Sequence, residues 1–261
     1  MLSHSYLRTL AGCALMWIGL FFMLIFAVDP YGVSPVRISI PGINSLKPKR
    51  VDIDRTIKPF EVWRYQPRTV FLGTSRIHQS INPETLDDTR FAPAYNASIP
   101  ASNLGMNASH LQQYKGLDRA LRTAFFELFL YNFLGQGQDS APKGRVDVIR
   151  DVSALFCTTD AIWDSIATVW HNAMVRRPTY EIKPGGYFYY PPGHDAKGTF
   201  AGFPAGIWDL HAKAGGSLKL HEPAFSSFEQ LVTISQLHDL EAIFLVTPNH
   251  AYVDYLSLIH I

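Results

Sequence analysis

Between Arg8 and Asp29 the chain carries no charge, and Leu10 to Val28 is an uncharged, strongly apolar run of 19 residues. At about 1.5 Å per residue such a helix matches the roughly 30 Å hydrocarbon core of a bilayer. Leu10–Val28 therefore reads as one transmembrane helix, and residues 1–30 as an N-terminal membrane anchor. The run is longer than the apolar region of a secretory signal, about 7–15 residues, and no small-x-small site closes it before Asp29-Pro30. Arg8 and the free amine on the short side argue for a cytoplasmic N-terminus, whereas Arg37, Lys47, Lys49 and Arg50 beyond the helix pull the other way.

Residues 31–67 are rich in Pro, Gly and scattered charges without a sustained period, and read as a linker that packs partly on the domain C-terminal to it. Arg55 and Lys58 within it read more naturally as solvated charges than as parts of a site. The 23 Lys and Arg balance 22 Asp and Glu, so no electrostatic case exists for nucleic acid. Two cysteines, Cys13 and Cys157, suggest neither a disulfide framework nor a zinc site. No carboxylate cluster points to a metal and no motif points to a cofactor, so none is expected.

The remainder, residues 68–261, is ordered around Arg68 to Gln79. An apolar run, Thr69-Val70-Phe71-Leu72, stops at Gly73 and is followed by Thr74 and Ser75: strand, tight turn, exposed serine. Backbone N–H groups at such a turn can hold an oxyanion or an anionic ligand. A plain turn with a serine helix cap fits the same residues. Further strands are expected at 92–97, 124–131 and 242–246, with helices over 110–122, within 145–174 and over 225–238. The aromatic residues of 145–174 read as core. Asn96 and Asn107 open formal glycosylation sequons of little weight. Residues 185–193 form an aromatic loop that suits either sugar stacking or packing. Strands alternating with helices, with polar residues at the strand ends, predict a three-layer, doubly wound parallel α/β sheet. The fourth strand end, Thr247-Pro248-Asn249-His250, is expected beside that of Ser75.

Phe-Leu-Gly-Thr-Ser-Arg, Tyr-Asn-Ala-Ser-Ile-Pro-Ala-Ser, the strand leading to Asn132, and Thr-Pro-Asn-His together resemble the SGNH, or GDSL-like, hydrolases. The resemblance is to their membrane-anchored bacterial branch related to alginate O-acetylation proteins. It implies Ser75 as nucleophile, the Ala101 backbone N–H as an oxyanion donor where the family usually has glycine, and Asn132 as the side-chain donor. Arg76 and His250 are candidates for substrate contacts. The family's late Asp-x-x-His pair, whose histidine is the general base, has no counterpart here. The closing Leu-Ser-Leu-Ile-His-Ile resembles translated adapter sequence, so a truncated C-terminus is expected.

The resemblance implies an acyl esterase or O-acetyltransferase acting on a cell-envelope polysaccharide, expected to be inactive as this fragment. Its domain would lie outside the cytoplasm of a bacterial inner membrane, with an acyl-carrying membrane protein as a partner class. A non-catalytic glycan- or anion-binding module on the same fold is the alternative. A phosphate site with Arg76 as clamp is the weakest reading.

Overall fold

The computed structural model describes residues 4–34, 38–86, 88–117, 120–128, 143–175, 180–190 and 222–246. Helix α1 (His4–Val28) contains the apolar run and is long and apolar enough to cross a membrane. Only Ile25 and Val28, at its end, are buried. Its last carbonyls are closed by the segment just beyond it. Lys47 Nζ donates to Val28 O and Asp29 O at 2.8 and 2.6 Å, and Asn44 Nδ2 donates to Ala27 O at 3.0 Å. A cation at a helix C-terminus both satisfies orphan carbonyls and offsets the negative end of the helix dipole.

A short 3-10 turn, Val51–Ile53, leads into α2 (Asp54–Tyr65). This helix lies inside the region expected to be linker, and it is part of the folded body. Ile57 and Val62 are fully buried, and Val62 joins the principal core. The scattered charges concealed it, because Asp54, Lys58 and Glu61 are buried and paired rather than solvated.

The sheet is parallel, in the order β2–β1–β3–β6, formed by β1 (Thr69–Leu72), β2 (Ala94–Asn96), β3 (Thr123–Leu128) and β6 (Glu241–Val246). Each β-rich apolar run of the sequence is present as a strand. The register places Val70 opposite Tyr95 on one side and Ala124 on the other, while Leu72, Phe126 and Phe244 line up one step further. The period of two puts these side chains on one face. There they pack with residues of α2, α4 (Leu104–Leu117) and α7 (Glu222–Leu237) in the main core. The opposite face carries Phe71 stacked on Phe125 at 4.7 Å, with Phe91 edge-on to Phe125. Among the described residues, the helices that share the core with the sheet do so on one face, so the expected second helical layer is not seen there. Strand β6 pairs with β3 and not with β1. The fourth strand end is therefore one strand removed from Ser75, contrary to the expectation.

Helix α4 starts six residues before the expected helix, because nearly every position, polar ones included, is buried between neighbours and gives no amphipathic stripe. Asn107 sits inside it, 1% exposed, and Asn96 is fully buried, which removes both sequons as glycan acceptors. Helices α5 (Arg145–Phe156) and α6 (Thr159–Met174) pack on α2 and α1. A two-stranded antiparallel piece, β4 (Glu181–Ile182) with β5 (Phe188–Tyr189), closes on the edge of β2, where Asn96 N donates to Gly185 O at 2.8 Å. Gly186, at φ +81°, permits that approach, since a Cβ there would lie 2.6 Å from Asn96 O.

A buried ion pair fastens the chain ahead of α2 to the sheet. Arg50 Nη2 meets Glu61 Oε2 at 2.5 Å, and the Tyr95 hydroxyl donates to the same oxygen. Burial, then the Glu61 carboxylate, pushes the Tyr95 phenol well above its usual value. Removing one partner leaves a desolvated charge, so Glu61→Leu is expected to cost about 3–5 kcal/mol. Arg50→Met/Glu61→Leu should cost less than Glu61→Leu alone. Denaturant midpoints of the full chain in detergent check the ordering, and a double variant weaker than the single contradicts it.

Candidate functional site

The chain passes from β1 to β2 on one side of the sheet and then to β3 on the other, so the carboxyl ends of β1 and β3 form a topological switch point. Open α/β sheets bind ligands at such a crevice. Gly73, Thr74 and Ser75 lie there.

Gly73 is required for space. Its φ is not in the left-handed region, but a Cβ would lie 2.7 Å from Ile77 Cγ1 and 2.8 Å from both Cβ and Oε2 of Glu127. Glu127 is the neighbour that matters. It stands on β3, fully buried, and its Oε2 accepts the Thr74 N–H at 2.6 Å. That bond pins the turn across the switch point. A lone carboxylate in the run Ala124-Phe125-Phe126-Glu127-Leu128 was the available signal for it, because an unpaired charge in a buried strand is unfavourable.

Thr74, not Ser75, caps α3 (Ser75–Ser80): its hydroxyl accepts the Arg76 N–H at 3.4 Å. The Ser75 hydroxyl is thus not consumed by capping, and it has no hydrogen-bond partner among the described residues. Ser75 and Arg76 are both half-buried.

The loop after β2 is drawn onto this turn. Gly73 O accepts the Ser102 hydroxyl at 2.6 Å and the Ile99 N–H at 3.0 Å, and Ser98 Oγ donates to Phe71 O at 3.2 Å. Ala101 is exposed at the loop tip with φ +59°, a conformation suited to glycine. Its N–H makes no hydrogen bond among the described residues. The structure thus brings the Ser75 and Ala101 segments to one sheet edge. Asn132 and His250 lie outside the described residues.

Behind the loop is a buried cation that sequence reasoning misassigned. Lys58 is fully buried, not a solvated linker charge. Its ammonium donates to Asn96 O at 3.1 Å, to Ser98 O, and to Gly186 O at 3.2 Å. Its carboxylate neighbour, Asp54, lies 3.9 Å away, and Asp54 Oδ2 is also 3.3 Å from His78 Nε2. Burial raises the Asp54 carboxyl and lowers the Lys58 ammonium, each opposed by the other's charge.

His78, three residues beyond Ser75, is 1% exposed with Phe188 edge-on to its ring. Burial, then the charges of Lys58 and Arg50, push its pKa down to about 2. Such an imidazole stays neutral and is a poor proton acceptor. The described part of the aromatic loop is packing: Tyr187 and Phe188 are buried, Phe188 between His78 and Tyr180. Arg55, by contrast, is exposed and lines a cleft of about 120 Å³ with His110 and Gln113 of α4 and with Lys143. Burial, then Arg55 and Lys58, lower the His110 pKa to about 4. Among the described residues no cluster of His, Cys, Asp and Glu could hold a metal ion.

Compared with known protein families, with curated proteins and with solved structures, the chain shows no match.

Two substitutions at the turn and loop are expected to act in opposite directions. Gly73→Ala must displace Glu127 or Ile77 and should destabilise by about 1–3 kcal/mol. Ala101→Gly relieves a left-handed residue and should stabilise by about 1 kcal/mol. Unfolding midpoints of both variants test the pair, and equal signs would contradict it. His78 adds a pH dependence. Its folded pKa is depressed below the unfolded value near 6.5, so its contribution is complete above that value and declines as pH falls toward 2. Between pH 6 and 4 the His78→Gln variant should lose stability less steeply than the parent, by about 1.4 kcal/mol per pH unit. Parallel slopes would refute the assignment.

Proposed function

We propose that the chain is a membrane-anchored acyl esterase or O-acetyltransferase of SGNH type, with Ser75 as nucleophile and an envelope polysaccharide as the acyl carrier or acceptor. The observation that carries the reading is the meeting of two segments at the switch point. One is a serine hydroxyl left unused by the helix cap, and the other is a loop holding Ala101 in a glycine-like conformation, with an N–H uncommitted among the described residues.

In this reading Ser75 Oγ attacks the acyl carbonyl carbon and passes its proton to a general base. The carbonyl oxygen becomes an oxyanion that the Ala101 N–H faces. Collapse breaks the ester C–O bond and leaves an acyl-serine. Water or a sugar hydroxyl then takes the acyl group and restores the serine. Glu127 and Lys58 are positioning residues, the first for the turn and the second for the loop. His78, buried and with its basicity strongly lowered, is a poor candidate for that base, and Asn132 would be a second oxyanion donor. The polysaccharide, the bacterial inner membrane and the placement of the domain outside the cytoplasm belong to the same proposal and rest on the resemblance in motifs.

A binding module on the same architecture is favoured by one observation, the lack of any partner for the Ser75 hydroxyl among the described residues. In that case Arg76 would contact an anion or glycan. A fluorophosphonate probe separates the readings. An esterase should be labelled at Ser75, with labelling lost in Ser75→Ala and reduced more than about tenfold in a Lys58→Met variant that stays folded. Labelling that is absent in the parent, or unchanged in Ser75→Ala, overturns the esterase.

A further inference from the structure

Helix α6 presents its side chains inside out. Its buried positions are small or polar, Ala161, Ser165, Thr168 and Asn172, on one helical face by their spacing. Its large apolar residues point outward: Trp163 is 68% exposed, Trp170 65%, Met174 60% and Ile166 48%. They wall an open groove of about 670 Å³. The expectation that the aromatic residues of this region form core is thereby corrected for Trp170, which is exposed. A helix whose outer face meets water carries its aromatic residues inward. Small residues inward and large apolar residues outward is the arrangement of helices packed within lipid.

The neighbourhood of α6 bears on what could cover it. The helix packs on α1. The two are fastened where α1 ends, for Tyr31 Oη donates to Asp164 Oδ2 at 2.8 Å, and just ahead of α6 the last residue of α5, Phe156, stacks on Phe26 of α1 at 5.0 Å. Asn172 Oδ1 accepts the Leu46 N–H at 2.8 Å, and Asn44 accepts the Ile40 N–H at 2.6 Å. The collar so held exposes Ile38, Ile40 and Ile43. Exposed apolar side chains thus stand on α1, on α6 packed against it and on the collar, with Lys49 beside the groove. An exposed patch of this kind marks an interaction surface, and tryptophan is enriched where membrane meets water.

We propose that the outer face of α6 lies in the bilayer surface that α1 crosses, with Trp163 and Trp170 seated among the upper acyl chains and Lys49 at the level of the lipid phosphates. This rests on the reading of α1 as a membrane-crossing helix, so the experiment reports on both.

The full chain is reconstituted into phosphatidylcholine vesicles with plain or brominated acyl chains, as the parent, as Trp17→Phe, and as Trp163→Phe/Trp170→Phe. Bromine quenches indoles in contact with lipid. The emission contributed by Trp163 and Trp170, taken as parent minus double variant, should be lost in brominated vesicles, as should that of Trp17 in α1. Quenching of Trp17 with no loss of the Trp163/Trp170 component lifts α6 off the bilayer and overturns the proposal while the anchor stands. Absence of Trp17 quenching removes the anchor and the proposal together. A Trp163/Trp170 component shielded from both bromine and aqueous iodide assigns the face to a protein, such as a second copy of this chain, and likewise overturns it.

Discussion

The arrangement around Ser75 depends on one buried ammonium. Lys58 reaches from α2 to three carbonyl oxygens, on Asn96 at the end of β2, on Ser98 in the loop after it and on Gly186 in the bend between β4 and β5. These carbonyls lie where the strand ladder ends or in irregular backbone, and away from water such groups need donors. A lysine supplies three from a single point, and its desolvation is partly balanced by Asp54. Helix α2 is therefore the support on which the loop bearing Ala101 is set. The other half of the crevice is set by a carboxylate, Glu127, acting on the turn from the opposite strand. The site is thus positioned by opposite charges from two sides, each hidden from solvent.

That division explains what could be read from the residues. The strands were legible because β1, β3 and β6 are short apolar runs closed by turn residues, and their number and parallel pairing followed from the alternation with helices. The turn at Gly73 was legible as a turn, although the need for glycine proved to be space beside Glu127 and not a left-handed φ. Helix α2 was not legible. Asp54, Arg55, Lys58, Glu61 and Arg64 look like a solvated tether, and nothing in one dimension distinguishes a paired, buried charge from a hydrated one. The partners that decide the matter, Arg50, Tyr95, His78 and three backbone oxygens, are scattered from residue 50 to residue 186.

Helix α6 was legible as a helix, but which of its faces is the inner one was not. Its apolar residues have helical spacing, and in a chain surrounded by water that spacing points inward. The direction reverses once the neighbour is an apolar helix and the inner positions are Ala161, Ser165, Thr168 and Asn172. Amphipathicity reports a contrast between two faces; which face is the inside depends on the solvent. At the turn the helix cap is Thr74 and not Ser75, and the two hydroxyls could not have been told apart as caps without the geometry of the bond to Arg76 N–H.

The closure of α1 by Lys47 and Asn44, together with the Tyr31–Asp164 bond, has a mechanical meaning. A tether of free chain would let the domain swing through a volume set by its length, so that one molecule could sample substrates at many heights. Here the last turn of α1 is bolted to the body through side chains on both sides of the junction. The crevice is carried at a fixed height and a fixed tilt relative to the helix axis. In the proposed function a substrate for Ser75 must be delivered to that height, and lengthening the stretch between Asp29 and Asn44 would alter the geometry of the junction before it altered any residue of the crevice.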